Sequence, residues 1–76
     1  MELKEFIEHF AEQFEDTAAE DFKPETVYKE LDEWSSLQAL GIISMADEYY
    51  GVILSSDDIR NSNTIEDLFK VINIKK

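Results

Sequence analysis

Seventy-six residues suffice for one small domain with one core. Hydrophobic residues reach 43% and aromatics 12%, too apolar for a disordered acidic tail, and the lack of cysteine excludes a disulfide framework and a thiolate metal site. With 18 acidic side chains against 7 basic ones the formal charge is -11, a field that repels nucleic acid and anionic lipid and favours basic protein surfaces.

The first segment predicts an amphipathic helix. Leu3, Phe6, Ile7, Phe10 and Phe14 follow helical spacing, Glu2, Glu5, Glu8, Glu12 and Glu15 take the other face, and the helix should fade near Asp16–Thr17. His9 lies among these glutamates and, with no second His and no Cys, is expected to be a solvated surface residue. The opening stretch "MELKEFIEHF" has neither a basic region nor a long apolar run, so no secretion or stable membrane insertion is expected, and the cytoplasm is the expected compartment.

From Ala18 to Trp34 the periodicity disappears. The single proline, Pro24, biases Lys23 away from helix. A long ordered loop is expected, with a short helical turn around Glu25–Leu31 and with Phe22, Val27, Tyr28 and Leu31 as its anchors.

A second long helix is predicted over Leu37–Tyr50, closed by Gly51 at C′. Its apolar residues (Leu37, Leu40, Ile42, Ile43, Met45, Ala46, Tyr49, Tyr50) wrap more than one face, as suits the central helix of a bundle. Ile53 or Leu54 should then turn inward, and Ser55 or Ser56 should cap a short helix through Ile59. "SSDDIRNSNTIE" lacks the alternating ligands and central glycine of an EF-hand. The last helix should start at Asn63 or Thr64, with Glu66 and Asp67 in its first turn, Ile65, Leu68, Phe69 and Ile72 as its buried stripe, and Lys75–Lys76 at its end. The expected fold is all-α: a small four-helix bundle of three main helices and one short one, a single monomeric domain over residues 1–76 with a long loop between the first two helices.

Two adjacent serines stand at the start of the central helix. Ser35 and Gln38 fit a capping box, which would turn the Ser35 hydroxyl into the helix and leave Ser36 at N1 pointing outward. The unpaired N–H groups and positive dipole end at N1 suit a phosphate ester, although spacing alone equally allows a polar filler. No Ser/His pairing, Gly-rich phosphate loop or distinct carboxylate pair suggests an active site, so the chain is not expected to be an enzyme, and no catalytic or metal-ligating residue is singled out.

"WSSLQALGIISMADEYYGVIL" resembles the modification-site helix of acyl carrier proteins. Members show Asp-Ser-Leu, then an apolar helix ending in acidic residues, an aromatic, a Gly or Asp and an aliphatic pair. Ser36-Leu37 match the Ser-Leu, Asp47-Glu48 the acidic pair, Tyr50-Gly51 the aromatic and turn, and Ile53 the buried aliphatic. The likeness extends over essentially the whole chain, through the amphipathic first helix, the long loop, the short third helix and the closing "NTIEDLFKVI".

The resemblance implies that Ser36 receives 4′-phosphopantetheine from coenzyme A by way of a separate phosphopantetheinyl transferase. The arm's thiol would hold an acyl group as a thioester and carry it between enzymes of fatty-acid or related specialised acyl or polyketide biosynthesis. A chain without cysteine needs such a borrowed thiol. The same resemblance implies partner contacts, with acyl-transferring and acyl-modifying enzymes of basic docking surface, at Ser35, Leu37, Gln38, Gly41, Ser44, Met45, Asp47, Glu48, Asp57 and Asp58.

Several positions depart from the family pattern. Ser35 replaces the usual Asp, which keeps the cap but removes a charge that helps the transferase dock. Gln38 and Gly41 occupy positions that are often acidic, Ser44 stands where many members place an exposed methionine, and "LDEW" replaces the usual Leu-Gly. Trp34 is expected to pack under the loop, the alternative being against the arm. These changes point to a specialised pathway with dedicated partners. A slot for an acyl chain would draw on Leu37, Leu40, Ile43, Ala46, Ile53, Ile59 and Phe69, with the third helix moving to admit it; the same residues read equally well as plain core. The rival readings are an aminoacyl, D-alanyl or peptidyl carrier with the same arm, and an unmodified, carrier-like acidic binding module.

Overall fold

Phe6, Phe10 and Phe14, four residues apart, put three rings on one side of the chain, and all three are buried. In the computed structural model, which describes residues 2–76, helix α1 spans Leu3–Ala11 and Phe14 lies just beyond it. The helix thus ends short of Asp16–Thr17, where periodicity placed its fading. The N–H groups of Gln13 and Phe14 instead make tighter bonds to the carbonyls of Phe10 and Ala11, at 3.1 and 3.0 Å. Continuing the helix would stack Glu12, Glu15 and Asp16 on the negative end of its dipole.

His9 also differs from expectation. Its ring stacks on Tyr49 at 3.9 Å between centroids, and its nitrogens lie 3.8 and 3.7 Å from the carboxylates of Glu5 and Glu12. Only 18% of the side chain remains exposed, because α1 packs against the end of the central helix there.

The long loop contains two 3₁₀ turns, Ala19–Asp21 and Tyr28–Glu30, the second where a helical turn was expected. Phe22 and Tyr28 are fully drawn into the core, and Val27 and Leu31 are half-buried. Trp34 packs under the loop, 5.0 Å from the Tyr28 ring and 6.3 Å from Phe14. The Tyr28 hydroxyl reaches the carbonyls of Ile59 and Ser62 at 2.6 and 3.0 Å. Burial, followed by the nearby Asp67 carboxylate, pushes this phenol up to about 12.

Helix α2 spans Ser36–Tyr50 and stops at Gly51, whose φ of 65° is the left-handed conformation that glycine adopts without strain. Past it, Val52 and Leu54 turn inward while Ile53 is 75% exposed, which settles the choice between Ile53 and Leu54. Helix α3 spans Ser56–Asn61, two residues longer than expected, and α4 spans Ile65–Lys75. Ser55 and Thr64 cap them through complete capping boxes with Asp58 and Asp67. Lys75 bonds Asp58 at 2.8 Å and fixes the end of α4 to the start of α3.

The architecture is therefore a small all-α bundle: α1 packs on α2 and α4, and α3 packs on α4. Among the described residues no strand forms; an isolated antiparallel bridge joins Val27 to Thr64 and docks the loop on the start of α4. No helix among them is long and apolar enough to cross a membrane.

Candidate functional site

Ser35 is extended (φ -156°, ψ 178°) and its Oγ accepts the N–H of Leu37 at 3.2 Å. The same hydroxyl donates to Gln38 Oε1. This differs from the expected capping box in two respects: the Ser35 hydroxyl takes the N–H of Leu37 and not that of Gln38, and Gln38 binds the serine side chain and not the Ser35 N–H. The consequence for Ser36 is as spacing predicted. It is the first residue of α2, it is exposed, and none of the hydrogen bonds that close this helix start uses its Oγ.

The surroundings of Ser36 set its chemistry. Ala39 is the first residue of α2 whose N–H reaches a carbonyl, that of Ser35 at 3.1 Å, and Leu37 is served by the cap. The N–H groups of Ser36 and Gln38 thus have no protein acceptor among the described residues, as at any open helix start. The first turn of α2 contains no acidic side chain. A serine hydroxyl here is accessible to an incoming phosphoryl group, next to free donors and the positive end of a 15-residue helix.

Beside this start, α2 faces the turn after α1 across an open groove of about 330 Å³. Leu37, Leu40, Gly41 and Ser44 form one side, and Gln13, Glu15 and Glu33 line the other. Leu37 and Leu40 are 72% and 62% exposed, an apolar edge along the groove. Gly41 has a concrete reason: a Cβ there would lie 2.7 Å from Gln13 Oε1, so the glutamine side chain rests on the helix at the position where glycine leaves room.

The remaining site residues separate into groups. Ser44, Asp47, Glu48 and Asp57 are exposed. Gln38 and Met45 are not: they are 8% and 2% exposed, Gln38 drawn in by Ser35 and Met45 by the core. Asp58 is half-buried and committed to Ser55 and Lys75, which together hold its carboxyl below the usual aspartate range, Lys75 first. The slot candidates do not converge. Leu37, Leu40 and Ile53 face solvent, Ala46 and Ile59 sit inside the closed core, and Ile43 and Phe69 are half-buried along its edge. With apolar positions spread around α2, only the neighbouring elements decide which of them close.

One residue of the site went unnoticed in the sequence. Glu33, three positions before Ser36, accepts the N–H groups of Glu15 and Asp16 at 2.7 and 3.0 Å and the Thr17 hydroxyl at 2.7 Å. These donors, that of Glu15 above all, hold its carboxyl below the usual glutamate range. A contact across 16 to 18 residues leaves no local pattern to read.

No three His, Cys, Asp or Glu side chains among the described residues group to hold a metal ion. No protein-family model, curated protein or solved structure matches the chain.

Proposed function

We propose that this protein is a carrier whose Ser36 bears a 4′-phosphopantetheine arm and which delivers acyl groups between enzymes of fatty-acid or related specialised acyl or polyketide biosynthesis. The observation that carries the reading is the division of labour at the start of α2: Ser35 is used up as the cap, while Ser36 stands exposed at N1. The residues present suit the group. Ser36 Oγ offers the ester oxygen, the N–H groups of Ser36 and Gln38 are free for phosphate oxygens, and exposed Leu37 and Leu40 flank the attachment point.

When bound, the arm supplies the thiol that the chain lacks. Attachment forms one bond between Ser36 Oγ and the β-phosphorus of coenzyme A, breaks the pyrophosphate link and releases the adenosine bisphosphate. The serine proton leaves to a base of the transferase, since no hydrogen bond at this helix start engages Ser36 Oγ. Exposed Asp47, Glu48 and Asp57, in a chain of charge -11, favour enzymes with basic docking surfaces. On this reading the protein works as a cytoplasmic monomer. Tyr28 and Lys75 hold α3 at 2.6 and 2.8 Å, which favours a cargo presented outside the core over one sheltered within it.

Incubation with coenzyme A and a broad-specificity phosphopantetheinyl transferase, read by intact mass, tests the proposal. One phosphopantetheine should be gained by the wild type and by Ser35→Ala, and none by Ser36→Ala. Absence of any gain sinks the carrier reading and leaves an unmodified acidic binding module, and a gain that follows Ser35 overturns the assignment of the arm to Ser36.

A further inference from the structure

Glu33 ties together the two pieces of chain that meet at the proposed attachment site: the turn that ends α1 and the extended residues that lead into α2. Its carboxylate gathers three donors from three consecutive residues, Glu15, Asp16 and Thr17. Hydrogen bonds to an ionised acceptor are roughly twice as strong as neutral ones. One residue on, Trp34 rests on Tyr28 at 5.0 Å, and Ser35 is held by the cap. The chain is thus fixed at three successive residues immediately before Ser36.

The tie forms against the local field. The charged groups that line the depressions beside Glu33 are all acidic: Glu15 and Asp16 beyond α1, Asp21 in the first 3₁₀ turn, and Glu30 and Asp32 in its own segment, while α2 contributes only the uncharged Leu37, Gln38, Leu40, Gly41 and Ser44. No Lys, Arg or His lines either of the two surface depressions that Glu33 borders. With no cationic partner beside it, this carboxylate owes its position to the three donors.

We infer that Glu33 is a positioning residue for the attachment site, holding the Glu33–Ser35 segment on the end of α1 so that the Ser36 hydroxyl is presented in one place to the transferase. The inference rests on the carrier reading. Phosphoryl transfer requires the attacking oxygen near and in line with phosphorus, so a loosened segment lowers the rate without touching the chemistry. Both Glu33 oxygens act as acceptors only in the carboxylate form. With its pKa lowered, the tie is intact at and above the ordinary glutamate range and is released only as pH falls through the lowered value.

The test compares three full-length proteins: wild type, Glu33→Gln, and Ile72→Val, which trims a methyl from the core at fully buried Ile72 on α4 and controls for lost stability. Transfer from coenzyme A by a broad-specificity transferase is followed by intact mass, and the amide resonances of Glu15 and Asp16 are titrated through acid pH. Glu33→Gln should be modified at Ser36 with kcat/KM roughly ten- to a hundredfold lower, while Ile72→Val should match the wild type. The two amides should share an acid midpoint that Glu33→Gln removes. Equal kcat/KM for Glu33→Gln and wild type overturns the inference and leaves the carrier reading standing, and an equal fall in both variants overturns it as mere loss of fold. No mass gain in the wild type overturns the carrier reading and this role with it.

Discussion

The start of α2 and the starts of α3 and α4 are built differently. At α3 and α4 a serine or threonine and an aspartate satisfy each other's backbone N–H groups, and two acids sit in each first turn. Even α1 places Glu5 in its first turn. Helix α2 has no acid in its first turn, and its cap serves a single N–H. In a chain with 18 acidic residues, that leaves the longest helix with an unfilled positive end beside an exposed serine. Burial of Ile42, Met45 and Ala46 anchors α2 from its middle, so its first turn is free to remain open. Closed starts serve stability, and the open one suits a ligand.

The largest effect should come from the closed end. Tyr28→Phe removes a hydroxyl shared by the Ile59 and Ser62 carbonyls, where no water reaches, and should cost about 1–3 kcal/mol in urea unfolding. Next come the caps themselves. Thr64→Ala should cost about 1 kcal/mol, because it breaks a reciprocal box, whereas Ser35→Ala should cost about 0.5 kcal/mol. Equal losses at the two caps would erase the contrast between closed and open starts.

Leu37→Asp converts the open start into the closed kind. Leu37 is 72% exposed, so the change removes no core contact and adds a carboxylate to the first turn of α2. Stability should rise by about 0.3–1 kcal/mol at low salt, less as salt screens the charge. Modification of Ser36 should slow in the same protein, since the incoming phosphate meets a fixed negative charge and loses an apolar neighbour. A faster or unchanged transfer would show that the open helix start is not what suits Ser36 to phosphate.

These contrasts also mark what the sequence could disclose. Caps are local signals: Thr64 with Asp67, Ser55 with Asp58 and Gly51 after Tyr50 can all be read within four residues, and so can the inward Ser35 and outward Ser36. The stripe of phenylalanines was equally legible, although the point where α1 stops was not, because part of its cause is Glu33, 17 and 18 residues downstream. The burial of Gln38 and Met45 depends on which faces of an apolar helix meet neighbours, and the stacking of His9 on Tyr49 joins α1 to the far end of α2. Periodicity gives a helix its face; it does not say what lies opposite.

The smallest effect concerns the groove beside Ser36. A Cβ at position 41 would stand 2.7 Å from Gln13 Oε1, which is the far end of a flexible side chain and can swing away. Doing so gives up a bond from Gln13 Nε2 to the His9 carbonyl, already long at 3.3 Å and only part-buried. Alanine in mid-helix regains about 0.8–1 kcal/mol over glycine, and the displaced bond offsets about 0.5 kcal/mol of it. Gly41→Ala should therefore raise the urea midpoint slightly, by a net gain of about 0.3–0.5 kcal/mol with an unchanged slope. Combining it with Gln13→Ala should restore the full helix-propensity difference between the position 41 variants. A loss of stability in Gly41→Ala that Gln13→Ala relieves would instead show Gln13 to be a fixed wall of the groove, and would place rigid structure on the open side of α2 as well as the closed one.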